Sequence, residues 1–267
     1  MIVISPNLVG DQFAELKKCT AIIGYQSYVS RPNVEVTASS SAGNFPAASV
    51  KTPMTYERWL AEETDSEPWI EIDLGAAVDI DYIAVGAHTL GSARATAAVY
   101  AGVSSNPTTE MGLLTTTTDN ACFLIFDEQP IRYIRIALTN PAEIGVIYAG
   151  RKLVMPRQMH GGHSPITLSR DTEVRPNVSV TGEFLGRAVY RRGFATTYAW
   201  QHLPATWYRA EFEPFVEHAI HSPFFIAWNP ITFPDEAAYA WTDGDIIPVN
   251  MGVRDFMEVS FNVRAIA

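Results

Sequence analysis

The chain has 267 residues, of which 47% are hydrophobic and 18% charged. That composition excludes disorder as the main state, and the length allows one large domain or two modest ones. Lys+Arg 19 against Asp+Glu 29 gives a formal net charge of −10, a poor balance for nucleic-acid binding, which depends on neutralising phosphates.

No apolar stretch approaches the length of a membrane helix, so membrane insertion is not expected. The opening MIVISPNLVG has no basic segment, and Pro6 and Asp11 interrupt its apolar run. A soluble chain without a leader is the expectation. Two cysteines, Cys19 and Cys122, are too few for a disulfide framework. Both are read as buried thiols, with a single bridge between them left open.

In chain order, the first helical candidate is 8–18, and 56–63 could form a helical turn. Short runs rich in β-branched and aromatic residues follow, punctuated by Gly, Pro, Asn and Asp. They are 69–74 (WIEIDL), 80–86 (IDYIAVG), 97–101 (AAVYA), 121–126 (ACFLIF), 133–138 (YIRIAL) and 145–149 (GVIYA). WIEID and YIRIAL alternate apolar and polar residues with period two, as half-buried antiparallel strands do. A β-sandwich is the expected architecture.

The pattern changes near residue 151. From Arg151 to Arg192 there are eight Arg/Lys against three Asp/Glu, in a chain otherwise acidic. Pro156, Gly161, Gly162, Pro165, Pro176, Gly182 and Gly186 interrupt this stretch, so it reads as an extended basic connector. Strand composition resumes at 195–200, 207–212, 224–228 and 259–265, with a short amphipathic helix at 214–221 (PFVEHAIH). The expected organisation is a jelly roll over 1–155, a connector arm over 156–192 and a small β-rich domain over 193–267.

WIEIDLG at 69–75, IDYIAVG at 80–86, RYIRIAL at 132–138 and IGVIYAG at 144–150 occur in that order. Upstream, ASSSAGNFPAASV at 38–50 precedes ERW at 57–59. This set resembles the discoidin, or coagulation-factor type C, domain over roughly 30–150. The resemblance implies a galactose-binding-like jelly roll that binds sugars, lipids or protein through loops at one end. Here those loops map near 39–45, 52–63, 87–94 and 115–120.

They carry the candidate ligand residues Tyr56, Arg58, Trp59, His88 and Arg94. An aromatic face for the apolar side of a sugar ring, with Arg or His for its hydroxyls, is the chemistry such a site needs. For Trp59 the competing reading is a structural cap on the core. The family's calcium loop departs here: SVKTPMT at 49–55 puts Lys51 where an acid is expected, and Val146 replaces a Glu near the last strand. A lysine opposes a hard cation that wants several oxygens, so no metal and no cofactor are expected.

The stretch 161–193 and the closing strands through MEVSFNVRAIA (257–267) are similar in style to tail proteins of long-tailed bacteriophages. That resemblance implies a structural component of a tail tip or baseplate, assembled in the host cytoplasm and located in the virion tail. Its partners would be other tail proteins and further copies of itself in a homo-oligomeric ring, joined by the basic arm. A host-surface polysaccharide would be the jelly roll's partner.

Two alternatives stay open: a carbohydrate-binding accessory module of a polysaccharide-degrading system, and a purely architectural ring subunit. The pairs His160/His163 and His218/His221 have spacing too common to define a metal site. No nucleophile elbow, phosphate loop or dinucleotide fingerprint is present, and the acids at 62–67 read as a solvated loop. The chain is therefore not expected to be an enzyme.

Overall fold

The computed structural model describes residues 1–5, 8, 20–252 and 254–266. The helix expected over 8–18 and Cys19 thus lie outside the described residues, Leu8 apart. Strand accounts for 49% of the chain and helix for 9%, so the protein is all-β.

The strands are β1 (Ile2–Ile4), β2 (Ile22–Gly24), β3 (Glu35–Ala38), β4 (Trp69–His88), β5 (Thr96–Gly102), β6 (Glu110–Thr115), β7 (Cys122–Leu138) and β8 (Ile144–Gly150). They continue as β9 (Leu153–Val154), β10 (Arg170–Val178), β11 (Phe184–Pro204), β12 (Phe224–Ala227), β13 (Ala237–Thr242), β14 (Pro248–Asn250) and β15 (Phe256–Ile266). Helix α1 (Glu213–Ala219) follows β11 after a wider helical turn over Tyr208–Phe212. The turn expected at 56–63 is not helical.

The two longest strands of the first sheet, β4 and β7, pair antiparallel along most of their length, with register breaks between Asp73 and Val78 and between Ile80 and Tyr82. The ribbon bends at the first break, where Gly75 takes φ +80°. Arg132 clamps the bend, donating from Nε and an Nη to the two oxygens of Asp73 at 2.8 and 2.9 Å. These bonds hold the Asp73 carboxyl down to about 2.

Because the ribbon bends, the same two strands serve two layers. Residues 69–73 of β4 and 133–137 of β7 join β3, β5 and β6. The other halves join β1 and β8. Ile70, Ile72, Ile134 and Ile136 from one layer meet Ile83, Val85, Leu124 and Phe126 from the other in a common core. Alternation turns every second residue inward, which is why WIEIDL and YIRIAL are legible as strands.

The second sheet runs in the order β10-β11-β15-β13-β12-β2-β9, with β14 beside β15. Its β2 comes from the N-terminal stretch and pairs with β12 (Ile23 opposite Ile226). The chain therefore does not divide cleanly near 155. One face of this sheet packs on α1 and the turn before it, through Trp200, Phe224, Ile226 and Val259 against Phe215 and Phe212. The other face packs on the jelly roll: Phe225, Ala227, Ala237 and Tyr239 meet Tyr82, Phe123 and Tyr148. Residues 80–86 of β4 and 122–126 of β7, with β8 and β12, are thus buried on both faces, and their sequences are near-continuous apolar runs.

A buried ion pair marks the junction. Asp81 accepts Lys152 Nζ at 2.8 Å and the Lys152 backbone N–H at 2.7 Å, with side chains 10% and 5% exposed.

The expected connector is a correction. Its second half is no extended link but the antiparallel hairpin β10–β11, with Val174 opposite Val189 and Val178 opposite Phe184. The turn closes where the Gly182 N–H donates to Ser179 O at 2.9 Å and Gly182 takes φ +90°.

Candidate ligand-binding site

The loop between β3 and β4 carries the site. Pro46 opens a short 3₁₀ turn, Ala47–Lys51, which buries Val50 in the jelly-roll core. Lys51 Nζ donates to Val34 O at 2.6 Å, which ties the turn to the start of β3. The chain then loops outward and is caught again at Trp59, which exchanges backbone hydrogen bonds with Ile144 of β8 at 2.8 and 2.9 Å. Trp59 is fully buried, and its indole N–H donates to Ser40 O at 3.0 Å. Of the Arg-Trp pair, the Trp faces inward and anchors the loop, while the Arg faces outward.

Between these anchors lies a cleft of about 550 Å³, lined by Asn44, Phe45, Pro46, Thr52, Tyr56 and Arg58 among others. Tyr56 is 76% exposed and Phe45 38%. Arg58 pairs with Glu143 and donates from Nε to Thr55 O at 3.2 Å, which fixes the guanidinium at the cleft wall. Thr52 Oγ1 donates to Glu57 Oε2 at 2.9 Å. From the second sheet, the Tyr239 hydroxyl donates to Pro53 O at 2.8 Å and props the loop from behind. The cleft offers two exposed aromatic faces beside an oriented cation, an amide and a carboxylate.

Of the five residues singled out by sequence, the structure brings two, Tyr56 and Arg58, to this cleft. Trp59 and His88 are buried, and neither presents its ring to solvent. His88 Nδ1 accepts the Leu90 N–H at 3.3 Å, and Nε2 lies 3.4 Å from Cys122 Sγ. Burial pushes the His88 imidazole down to about 4 and the Cys122 thiol up to about 11. Arg94 takes φ +52° and lies in a separate cleft of about 390 Å³ with Gly91, Thr96 and Thr115 to Thr117.

Asn44, Phe45 and Glu57 were not singled out by sequence reasoning. The only signal for them was their place in loops expected at the ligand end. The acids at 62–67 are not all solvated spectators: Asp65 Oδ2 accepts Ser39 Oγ at 2.5 Å and Ser40 Oγ at 2.7 Å, and these bonds lower its carboxyl. The histidine pairs take aromatic surroundings, with His163 edge-on to Trp228 and His218 edge-on to Tyr25.

No family model matches the chain, and no curated protein matches it. Solved structures do. Chitosan-binding module 1 of a chitosanase/glucanase from Paenibacillus sp. IK-5 is 20% identical, covering 46% of this chain and 98% of its own, at TM-score 0.39. The Clostridium perfringens module CpGH89CBM32-5, solved with GalNAc-β-1,3-galactose, is 12% identical over 47% of this chain and 99% of its own, at TM-score 0.42. The family 32 module of Clostridium perfringens NanJ, solved with galactose, is 16% identical over 49% and 99%, at TM-score 0.39. None of these three is a bacteriophage tail protein. Likeness at this level assigns no ligand, and the chemistry of the cleft has to carry the functional reading.

Proposed function

We propose that the chain is a non-catalytic carbohydrate-binding protein of galactose-binding-like type, with its sugar site in the cleft between Phe45 and Arg58. The observation that carries this reading is Tyr56, a largely exposed ring beside an arginine already oriented by Glu143. A pyranose presents an apolar face and a rim of hydroxyls. The ring takes the first, and Arg58, Asn44 and Glu57 take the second. Both pre-set partners sit on a loop pinned at Val50, Pro53 and Trp59, which lowers the ordering cost of binding.

The test is a glycan array followed by calorimetry on the best glycan, with Tyr56→Ala and Arg58→Ala. Each variant is expected to weaken binding about tenfold or more, with an unchanged melting temperature. Equal binding by both variants and the native chain would move the site elsewhere.

A second reading, a structural subunit of a bacteriophage tail tip or baseplate located in the virion tail, draws on the projecting hairpin β10–β11. Immunogold labelling of particles from the source tests it. Label at the distal tail end supports the reading, and unlabelled particles with the chain in the soluble fraction remove it.

A further inference from the structure

The chain has 29 acids in 267 residues, about one in nine, yet two stretches of 27 residues have none: 144–170 and 184–210. Together these stretches hold eight of the 19 Arg and Lys. They meet in space. The His160 N–H donates to Ala199 O at 2.8 Å, which lays residues 157–161 alongside β11. Between the two opens a cleft of about 540 Å³, whose lining includes Arg157, Gln158, Met159, His160, Gln201 and His202. It nearly matches the Tyr56 cleft in volume and is large enough for a small organic ligand.

The lining carries one sign of charge. Among the described residues that form it none is acidic, and a cleft of one sign draws anions to itself even in a chain that repels them overall. Glu258 stands outside the lining and accepts Gln201 Nε2 at 3.3 Å, which orients that amide.

The backbone is bent to bring His202 here. Pairing of β11 with β15 breaks between Trp200 and Leu203, so Gln201 and His202 are left out of the ladder. His202 takes φ +58°, in the left-handed region that favours glycine. A bulge that holds another residue there costs stability and re-aims its side chain. Arg157 and His202 then converge on one ring. The Phe256 ring centre lies 5.9 Å from the Arg157 guanidinium carbon and 6.0 Å from the His202 ring centre.

These groups suit a particular ligand chemistry. A guanidinium meets a carboxylate through two parallel N–H donors. Imidazole and amide groups both donate and accept, as a rim of hydroxyls requires. A bare inorganic anion would leave most of a cleft of about 540 Å³ unfilled.

We propose that this cleft binds a sugar acid, with Arg157 on its carboxylate and His160, His202 and Gln201 on its hydroxyls. The site lies on the second sheet, outside the jelly roll. Nothing in it depends on the Tyr56 cleft, and the two can fail separately.

Titration calorimetry of the full chain tests the proposal. The probes are D-glucuronate and D-galacturonate, with D-glucose and D-galactose as neutral counterparts and sulfate as the bare anion. At least one acid is expected to bind about tenfold or more tighter than its neutral counterpart and than sulfate. In spectra of the imidazole protons, the His160 and His202 signals, each assigned by its Asn substitution, are expected to move during that titration. Arg157→Ala is expected to weaken binding about tenfold or more, and Arg157→Lys nearly as much, because an ammonium cannot supply the fork.

His202→Gly separates recognition from folding. Glycine accepts the left-handed φ, so the melting midpoint should not fall, while binding weakens about fivefold or more. A His202 that served only the fold would leave binding intact. No binding of either acid at millimolar concentration, sulfate or the neutral sugar bound as tightly, imidazole signals that stay still, or binding that survives Arg157→Ala or His202→Gly would each overturn the proposal.

Discussion

Phe225→Ala probes whether the two sheets unfold as one body. Phe225 is fully buried between them, with ring centres 4.8 Å from Tyr239, 5.3 Å from Tyr148 and 6.3 Å from Phe123. Its ring also rests on the backbone of Gly86, where an added Cβ would stand 3.1 Å away. With β4, β8 and β13 all rigid strands, little can collapse into the space left, so the loss falls at about 3–5 kcal/mol. For a chain of this size that lowers the melting midpoint by about 6–20 °C. Calorimetry is the assay, with near-ultraviolet dichroism reporting the aromatic core. One cooperative transition is expected, shifted as a whole. A scan in which one unit keeps the native midpoint while the other falls would refute the shared core. The same variant should loosen the candidate site, since Tyr239 both packs on Phe225 and holds Pro53.

The remaining predictions concern buried titratable groups. His88 is held at about 4 in the folded chain against 6.5 unfolded, so the unfolded state binds more protons between those values. Its share of stability is whole above pH 6.5 and is lost as pH falls toward 4, about 3 kcal/mol in all. Denaturant unfolding across that window should show a shallower loss for His88→Asn, which keeps an acceptor for the Leu90 N–H; parallel curves would refute the assignment. Lys152→Met should cost about 3–5 kcal/mol at neutral pH by leaving Asp81 buried alone, and adding Asp81→Asn should recover much of it. Burial raises the Asp81 carboxyl, so the Lys152→Met deficit should shrink as pH falls and the charge is neutralised. Iodoacetamide should label Cys122 at a rate that rises with urea, because the native thiol is buried and held near 11; prompt native labelling located at Cys122 by mass spectrometry would contradict this.

The strands of the jelly roll were legible wherever one face met the core and the other met water, because alternation then survives in the sequence. WIEIDL and YIRIAL are such strands. The third layer was not legible. FFIA and IDYIAVG look alike as apolar runs, and nothing local says that Phe225 and Tyr82 face each other across a second core. β2 is only three residues long, and its partner lies about two hundred residues away, beyond the reach of any pattern. The hairpin was hidden by Pro176 and its arginines. Both are tolerated because β10 is an edge strand, where a missing N–H and an exposed charge cost little. At the site, adjacency made Tyr56 and Arg58 visible. His88 shows the limit: it closes an apolar run, IAVGAH, and that run was the sign that its side chain would be buried.

The pairing of β2 with β12 also bears on how the molecule is made. During synthesis Ile22 and Ile23 emerge about 200 residues before their partners, a wait of roughly 10–40 s at about 5–20 residues per second. The jelly roll can close in that interval, since β3 through β8 are contiguous in the chain. Its outer face, with Tyr82, Phe123 and Tyr148, then stands wet until Phe225 and Tyr239 arrive. The nascent chain thus passes through a stage with half its architecture finished and its stickiest surface bare. A ribosome-bound holding factor, or a slow tempo of translation past residue 150, would govern its yield more than the stability of the finished fold.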